Sequence, residues 1–297
     1  MNKRVFITSI FLFAITSIVF IACQTKSRIL EFKIEKDREY LYNLDWDMKQ
    51  TVYGQSSDMN IGSVYSLKLI EDDGNIKTLT GTYKSVKMSF SIKGKVIHID
   101  TDKQIEVETD KDMNKNSDTL MKKIFSGIAG KSFKMKVDKN GKILEVTGLL
   151  ELYESMLNVI TLDKELKAEA MTALKEQFNE KSLKDLFTPM FSIYPNKEIK
   201  PGDTWEKEYS SSGNLPLNYA TTYSVKEIEG DQITLNAKTK IKATNEMEIH
   251  GSQNGTILID SKSGLIIRAE YDQSIESNLR GMKINMEGKG KINGILK

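Results

Sequence analysis

Two histidines and one cysteine limit the chemistry open to this 297-residue chain. His98 and His250 lie far apart, and neither has a second histidine or a cysteine at ligand spacing. Catalytic zinc usually takes three protein ligands, so no metal site is expected. Serine hydrolysis also lacks its usual signature, because no Gly-x-Ser-x-Gly elbow occurs. Gly288-Lys289-Gly290-Lys291 looks like a phosphate loop but lacks the Gly-x-x-x-x-Gly-Lys-Ser/Thr spacing that lets successive amides cradle phosphate. Met282, Ile284 and Met286 alternate with polar residues just before it, and glycines in such a strand mark a bend or bulge. Asp110 to Asp118 carries calcium-like acids without the glycine or the closing glutamate of an EF-hand loop. The expectation is a protein that is not an enzyme, with no catalytic residues, metal or cofactor.

Cys23 carries a different kind of chemistry. Lys3 and Arg4 open a leader, Val5 to Ile21 is apolar apart from Thr8, Ser9, Thr16 and Ser17, and the small residue Ala22 precedes the cysteine. That order reads as a secretory signal over residues 1–22. An uncleaved anchor is the alternative, since a bilayer-spanning helix needs about 20 apolar residues. Phe20-Ile21-Ala22-Cys23 resembles the lipobox of bacterial lipoproteins, with Phe20 where leucine is usual. The resemblance implies acylation of the Cys23 thiol, cleavage before it and acylation of the new amine. At about 0.8 kcal/mol per buried CH₂, two or three chains hold a protein stably on a membrane. Gln24 is not the aspartate that retains many such proteins in the inner membrane, so the resemblance favours the outer membrane, on its periplasmic leaflet. No thiol then remains for a disulfide, and stability in an oxidising envelope rests on the core.

Charge excludes another class. Of 43 basic residues two lie in the leader, leaving 41 against 41 acidic residues. The mature chain is formally neutral, without the basic footprint of a nucleic-acid binder or a polybasic membrane patch.

The elements that would carry these residues fall into three blocks. Residues 23–28 are a lipidated tether with a reach of roughly 20 Å, and residues 29–297 read as one domain. Its β block 29–109 opens with Leu30, Phe32 and Ile34 alternating with charged residues, and Glu71-Asp72-Asp73-Gly74-Asn75 signals a hairpin. Further strands are expected over 60–70, 76–84, 86–92, 95–100 and 104–108. The middle, 117–194, holds one hairpin, Phe133 to Val146, and amphipathic helices capped by Ser117, Asp163 and Ser182. The second β block, 199–297, contains separate strands over 246–250 and 255–260 and a weakly marked boundary at Arg280-Gly281.

The β blocks resemble each other. Ile34 to Tyr40 matches Ile199 to Trp205, Tyr65 to Glu71 matches Tyr223 to Glu229, and Phe133 to Asp138 with Gly141 matches Thr256 to Asp260 with Gly264. A duplication would place them in one large sheet or two facing ones. Gly202-Asp203-Thr204-Trp205 is the most distinctive short stretch: Gly202 after Pro201 suits a type II turn, Asp203 can satisfy turn amides, and Trp205 can plug the sheet end. Met88, Met121, Met135, Met156, Met171, Met190, Met247, Met282 and Met286 fall on inward faces, where soft side chains suit a pliable cavity or an ordinary core.

The leader, Leu30 to Tyr40, Val86-Lys87-Met88, Phe133 to Gly148 and above all Tyr194 to Trp205, with its Pro-Gly-Asp-Thr-Trp motif, resemble a family of bacterial lipoproteins known as a domain of unknown function. The resemblance implies an architecture similar to lipoprotein-carrier (LolA/LppX-like) folds. The expected fold class is α+β: a large curved antiparallel sheet, or sheets, from the two β blocks, covered by the central amphipathic helices. The expected function is binding or carrying a hydrophobic or lipidic ligand at the membrane. The alternative is a structural or protein-interaction module there.

Overall fold

The computed structural model describes residues 27–92, 95–103, 117–211, 216–244, 248–279 and 281–296. A short strand β1 (Arg28–Ile29) precedes four strands, β2 (Glu39–Val52), β3 (Gln55–Asp72), β4 (Ile76–Ile92) and β5 (Lys95–Asp100). Helix α1 (Ser117–Ser126), the hairpin β6 (Ser132–Asp138) and β7 (Ile143–Thr147), and helices α2 (Leu149–Asn158), α3 (Lys164–Gln177) and α4 (Glu180–Phe191) form the middle. Then follow β8 (Glu198–Ile199), β9 (Thr204–Ser210), β10 (Leu217–Glu229), β11 (Gln232–Ala243), β12 (Glu248–Asp260), β13 (Ile266–Leu279) and β14 (Met282–Leu296).

Twelve strands make one antiparallel sheet in the order β7-β6-β4-β3-β2-β14-β13-β12-β11-β10-β9, with β5 on the far part of β4. β1 and β8 form a separate ribbon. The expected α+β arrangement, with helices covering the sheet, is corrected: strands take 59% and helices 18% of the described residues. β14 pairs with β2 from Ile284 opposite Val52 to Leu296 opposite Tyr40, which fuses the two β blocks through their first and last strands. The helices cannot cover the result. At 1.5 Å per residue they are about 15 to 21 Å long, whereas the eleven strands that lie side by side extend over roughly 48 Å at about 4.8 Å spacing. They gather instead beside the first block, α1 on β5, α2 against α1, α3 and β6, and α4 against β7. α3 buries none of its residues.

Local chemistry explains most element ends. Asp163 caps α3 by accepting a hydrogen bond from the Leu166 amide at 2.9 Å. α4 starts earlier than its serine suggests, because Asn179 is the cap and accepts from the Ser182 amide at 2.9 Å. The alternating Leu30-Phe32-Ile34 stretch is buried as a strand would be but lies in no ladder. Its ties are single hydrogen bonds, such as the Lys33 amide donating to the Ser263 carbonyl. Residues 76–92 run as one strand, as do 248–260, and Gly281 at φ +83° turns β13 into β14. The strand expected over 104–108 and the loop over 110–116 lie outside the described residues.

One end of the sheet holds the core. The turns at 73–75, 200–203, 230–231 and 261–264 gather there with the start of the described chain; this end is called the base. Matched residues of the two β blocks occupy equivalent places in it. Gly141 and Gly264 follow β6 and β12, each with positive φ, and both lie against the ring of Tyr194. A Cβ on Gly141 would sit 1.7 Å from the Phe191 carbonyl oxygen, and one on Gly264 would sit 2.1 Å from that of Glu31. The segment before each block thus packs on a turn of the other. Tyr194 donates to the Gly264 carbonyl at 2.9 Å, and its ring stacks on Phe32.

α4 and the residues just after it link both free edges of the curled sheet. At β7, the Lys184 ammonium donates to the Leu144 carbonyl at 2.6 Å and the Glu180 carboxylate accepts from the Val146 amide. At the other edge, Trp205 of β9 donates from Nε1 to the Ile193 carbonyl just after α4, and Asp185 of α4 acts electrostatically on Tyr209 and Tyr219. Between these contacts Phe187 packs edge-on against Tyr65 and beside Phe133, deep in the core.

Candidate functional site

Strand register sorts the inner face into rows crossing the sheet, because side chains alternate between faces. The rows nearest the base, such as Val225, Leu235, Ile257, Ala269, Ile292 and Leu44, are buried. The next row outward is aromatic: Trp205 and Tyr223 on β9 and β10, Tyr271 on β13 and Trp46 on β2. Two glycines let these rings lie flat. A Cβ on Gly255 would meet Tyr271 at 2.4 Å, and one on Gly290 would meet Trp46 at 2.8 Å. The glycines in the Gly288-Lys289-Gly290-Lys291 stretch therefore accommodate aromatic cover.

Beyond this floor runs a row of mixed character: Lys207, Thr221, Thr239, Gln253 and Gln273, then Gly288, Met48, Met59 and Phe90. A further row carries Tyr209, Tyr219, Ile241, Ile275 and Met286. Leu217, Ile241, Ile249 and Ile275 form a second apolar cluster, with Tyr219, Ala243 and Met286 packed on it. Met48, Met59, Phe90 and Met286 are half-buried and line a hollow of about 230 Å³, with Lys49, Gln50, Ser57, Asp58 and Ser91 at its border. Met48 and Met59 escape a search for isolated inward methionines; their alternation with Trp46 and Ile61 on paired strands reveals them.

The opposite face is polar. A groove of about 490 Å³ crosses β3, β2, β14, β13 and β12, lined by Asp47, Asp58, Asn60, Asp272, Glu287 and Lys289 among others. A second hollow of about 340 Å³ shares Asp47 and Asn60 and reaches His98. These volumes exceed that of the methionine-lined hollow, yet register accounts for the charges. Lys49 stands between Asp58 and Glu287, and Lys289 between Asp47 and Asp272, so opposite charges alternate across strands. Asp47 also accepts from the Asn60 side chain at 2.6 Å. His98 is on β5 and His250 on β12, far apart in the strand order. Among the described residues no group of three or more metal-binding side chains gathers.

Buried phenols shape the electrostatics. Burial pushes Tyr83 up to about 12 and raises Tyr42, Tyr65, Tyr194, Tyr223 and Tyr271 further. Tyr209 is raised by burial first, then by neighbouring tyrosines and Asp185. These phenols stay neutral at physiological pH and act as apolar surface with a hydrogen-bonding tip. Among carboxylates, Asp72 and Glu180 are lowered chiefly by hydrogen bonds from Lys77 and Lys184, and Asp73 by turn amides.

Cys23 lies outside the described residues. Gly202 has φ +91° in the turn before β9, its amide donating to the Val225 carbonyl at 2.9 Å. Asp203 accepts from the Lys200 amide at 3.0 Å. Trp205 stacks on Tyr223 with centroids 5.6 Å apart, so it belongs to the aromatic floor of the inner face. Met135, Met156 and Met190 are core residues, Met88, Met121 and Met171 pack against the core, and Met247 lies outside the described residues.

Residues 74–266 match a family of unknown function, DUF6263, and the chain belongs to that family. The matched span includes the Pro201 to Trp205 stretch and does not include residues 1–73. No curated protein matches the sequence. Among solved structures, lipovitellin, described for its lipid–protein interactions, is similar at 10% identity and a TM-score of 0.51 over 89% of this chain. The match spans only 26% of the lipovitellin chain. The β domain of the Bordetella autotransporter BrkA aligns at 7% identity and a TM-score of 0.35, over 86% of this chain and 99% of that one. A DUF1329 family protein from Desulfovibrio piger aligns at 10% identity and a TM-score of 0.17, over 88% and 86%.

Proposed function

We propose that this member of a family of unknown function is a non-enzymatic lipid-anchored envelope protein that holds an apolar ligand on the inner face of its sheet. The observation that carries the reading is the half-buried wall of Met48, Met59, Phe90 and Met286. It continues the core outward past the reach of α4, and soft methionine side chains adapt to varied chain shapes. The fold likeness to lipovitellin is consistent with it, lipovitellin being a protein studied for its contacts with lipid. The leader supports a site of action at the periplasmic face of the outer membrane, with Cys23 acylated and cut from residues 1–22. Tyr40 lies at the base end of β2 and Met48 eight residues along it, so the hollow stands roughly 27 Å from the base.

Native mass spectrometry with lipid extraction, on the chain from Thr25 onward, tests the ligand. The expected result is an apolar molecule at fixed stoichiometry, lost in Met59→Lys. A clean apo mass after incubation with envelope lipids would refute it. Metabolic labelling with a palmitate analogue tests the anchor: incorporation should vanish in Cys23→Ala. A second reading, a protein-interaction module at the membrane surface, draws on the long polar groove of the outer face. It predicts a stable envelope partner, captured without lipid and released by charge reversal at Asp272 and Lys289.

A further inference from the structure

We infer that Lys207 seats the anionic head of a single-chain amphiphile, a fatty-acid carboxylate, whose chain lies across the inner face toward the methionine wall. This deepens the apolar-ligand reading above and rests on it. β9 alternates in exposure, with Trp205, Lys207 and Tyr209 half-buried and Glu206 and Glu208 exposed, so Lys207 points to the inner face between two aromatic rings. Along its own row, from β9 through Met48 and Met59 to Phe90 and Ile97, Lys207 is the only charged residue among the described ones. Among the described residues no ion pair engages it.

Its row supplies the hydrogen bonds that a headgroup needs. Thr221, directly opposite Lys207, is buried and shares a 2.9 Å hydrogen bond with the Thr239 hydroxyl. Gln253 and Gln273 continue the row, their side chains 3.4 Å apart. These residues pair with each other, whereas the Lys207 ammonium needs a partner once the surface is covered, because a buried polar group without one costs about 1–3 kcal/mol and a charged one more. A carboxylate beside Lys207 provides it, and the ammonium makes the stronger, charge-assisted bond. Asp185 of α4 borders the next row near Tyr209 and Tyr219 and has an interaction of its own. One cation and one polar row select one negative charge, and the apolar remainder, running to Gly288, Met48 and Met59, selects the chain.

The test compares palmitate with methyl palmitate on the chain from Thr25 onward, which keeps every described residue. Titration of wild type, Lys207→Gln and Lys207→Arg by tryptophan fluorescence reads both ligands. Palmitate should bind wild type about ten-fold more tightly than its ester, the scale of one charge-assisted hydrogen bond. Lys207→Gln should abolish that difference with the ester affinity unchanged, and Lys207→Arg should keep most of it. Equal affinities in wild type, or an undiminished preference in Lys207→Gln, would overturn the headgroup seat and leave the apolar-ligand reading standing. Binding of neither ligand would overturn both.

Discussion

Replacing Gly141 by alanine measures how tightly the two halves of the sheet are locked at the base. Gly141 has φ +81°, and a non-glycine residue in the left-handed region costs about 1–2 kcal/mol. Its new Cβ would also sit 1.7 Å from the Phe191 carbonyl oxygen, a backbone atom at the end of α4 that has no rotamer to turn away. Relieving such a clash moves packed structure and adds about 1–3 kcal/mol. The reduced freedom of the unfolded alanine chain returns about 0.4–1 kcal/mol. The net loss is roughly 2–4 kcal/mol, or on the order of 10 °C in thermal midpoint for a chain of this size. Gly230 is the control. It has φ +58° and nothing within 4 Å of a new Cβ, so Gly230→Ala carries only the dihedral cost. Its midpoint should fall by about 2–4 °C or less. Thermal unfolding followed by circular dichroism on both variants separates the two effects. A Gly141→Ala shift no larger than that of Gly230→Ala would refute the packing argument. Gly264→Ala, against the Glu31 carbonyl, should behave like Gly141→Ala.

Other measurements probe the remaining features. The buried tyrosines have folded pKa values raised above the unfolded value near 10, so their stability contribution is complete below pH 10 and is lost as pH climbs toward and past 12. Apart from the exposed Tyr53, phenolate absorbance should therefore appear mostly together with unfolding in alkaline titration; ionisation of most of the eleven tyrosines in a still-folded chain would contradict the assignment. Thr221→Val strands the Thr239 hydroxyl and should cost about 1–3 kcal/mol, whereas Thr221→Val with Thr239→Val should recover much of it. A denaturant-melt double-mutant cycle measures the coupling, and purely additive losses would argue against the pair. Glu180→Ala removes the acceptor for the Val146 amide at the sheet edge. Hydrogen exchange at Val146 should quicken several-fold while the Met135 amide in the neighbouring strand stays protected.

Much of this architecture can be read from residue order. The Asp73-Gly74 signal marked the end of β3, and the Phe133 to Val146 hairpin marked β6 and β7, because such signals act within a few residues. Helix α3 was legible through Asp163, whose side chain caps the amide three residues on. The Leu30 to Ile34 stretch misled for the same reason: alternation reports burial, and a lone extended segment pressed between Ser263 and Tyr194 buries alternate residues as a strand does. The cover of the sheet also misled, since amphipathic helices declare an apolar face without declaring which strands it meets.

What the sequence determined by itself is local: an apolar run up to Ala22, balanced charge beyond it, few histidines and one cysteine, and the stripes that make each strand and helix two-faced. The tertiary structure decided what no window along the chain contains. Pairing of β2 with β14 joins residues more than 200 positions apart and turns two β blocks into one sheet. The same register places Lys207 in one row with Met48, and Gly290 beneath Trp46. Gly290 and Trp46 meet in a single pairing, whereas Lys207 and Met48 share a row only through six successive pairings from β9 to β2, a sum that no local stretch of sequence contains.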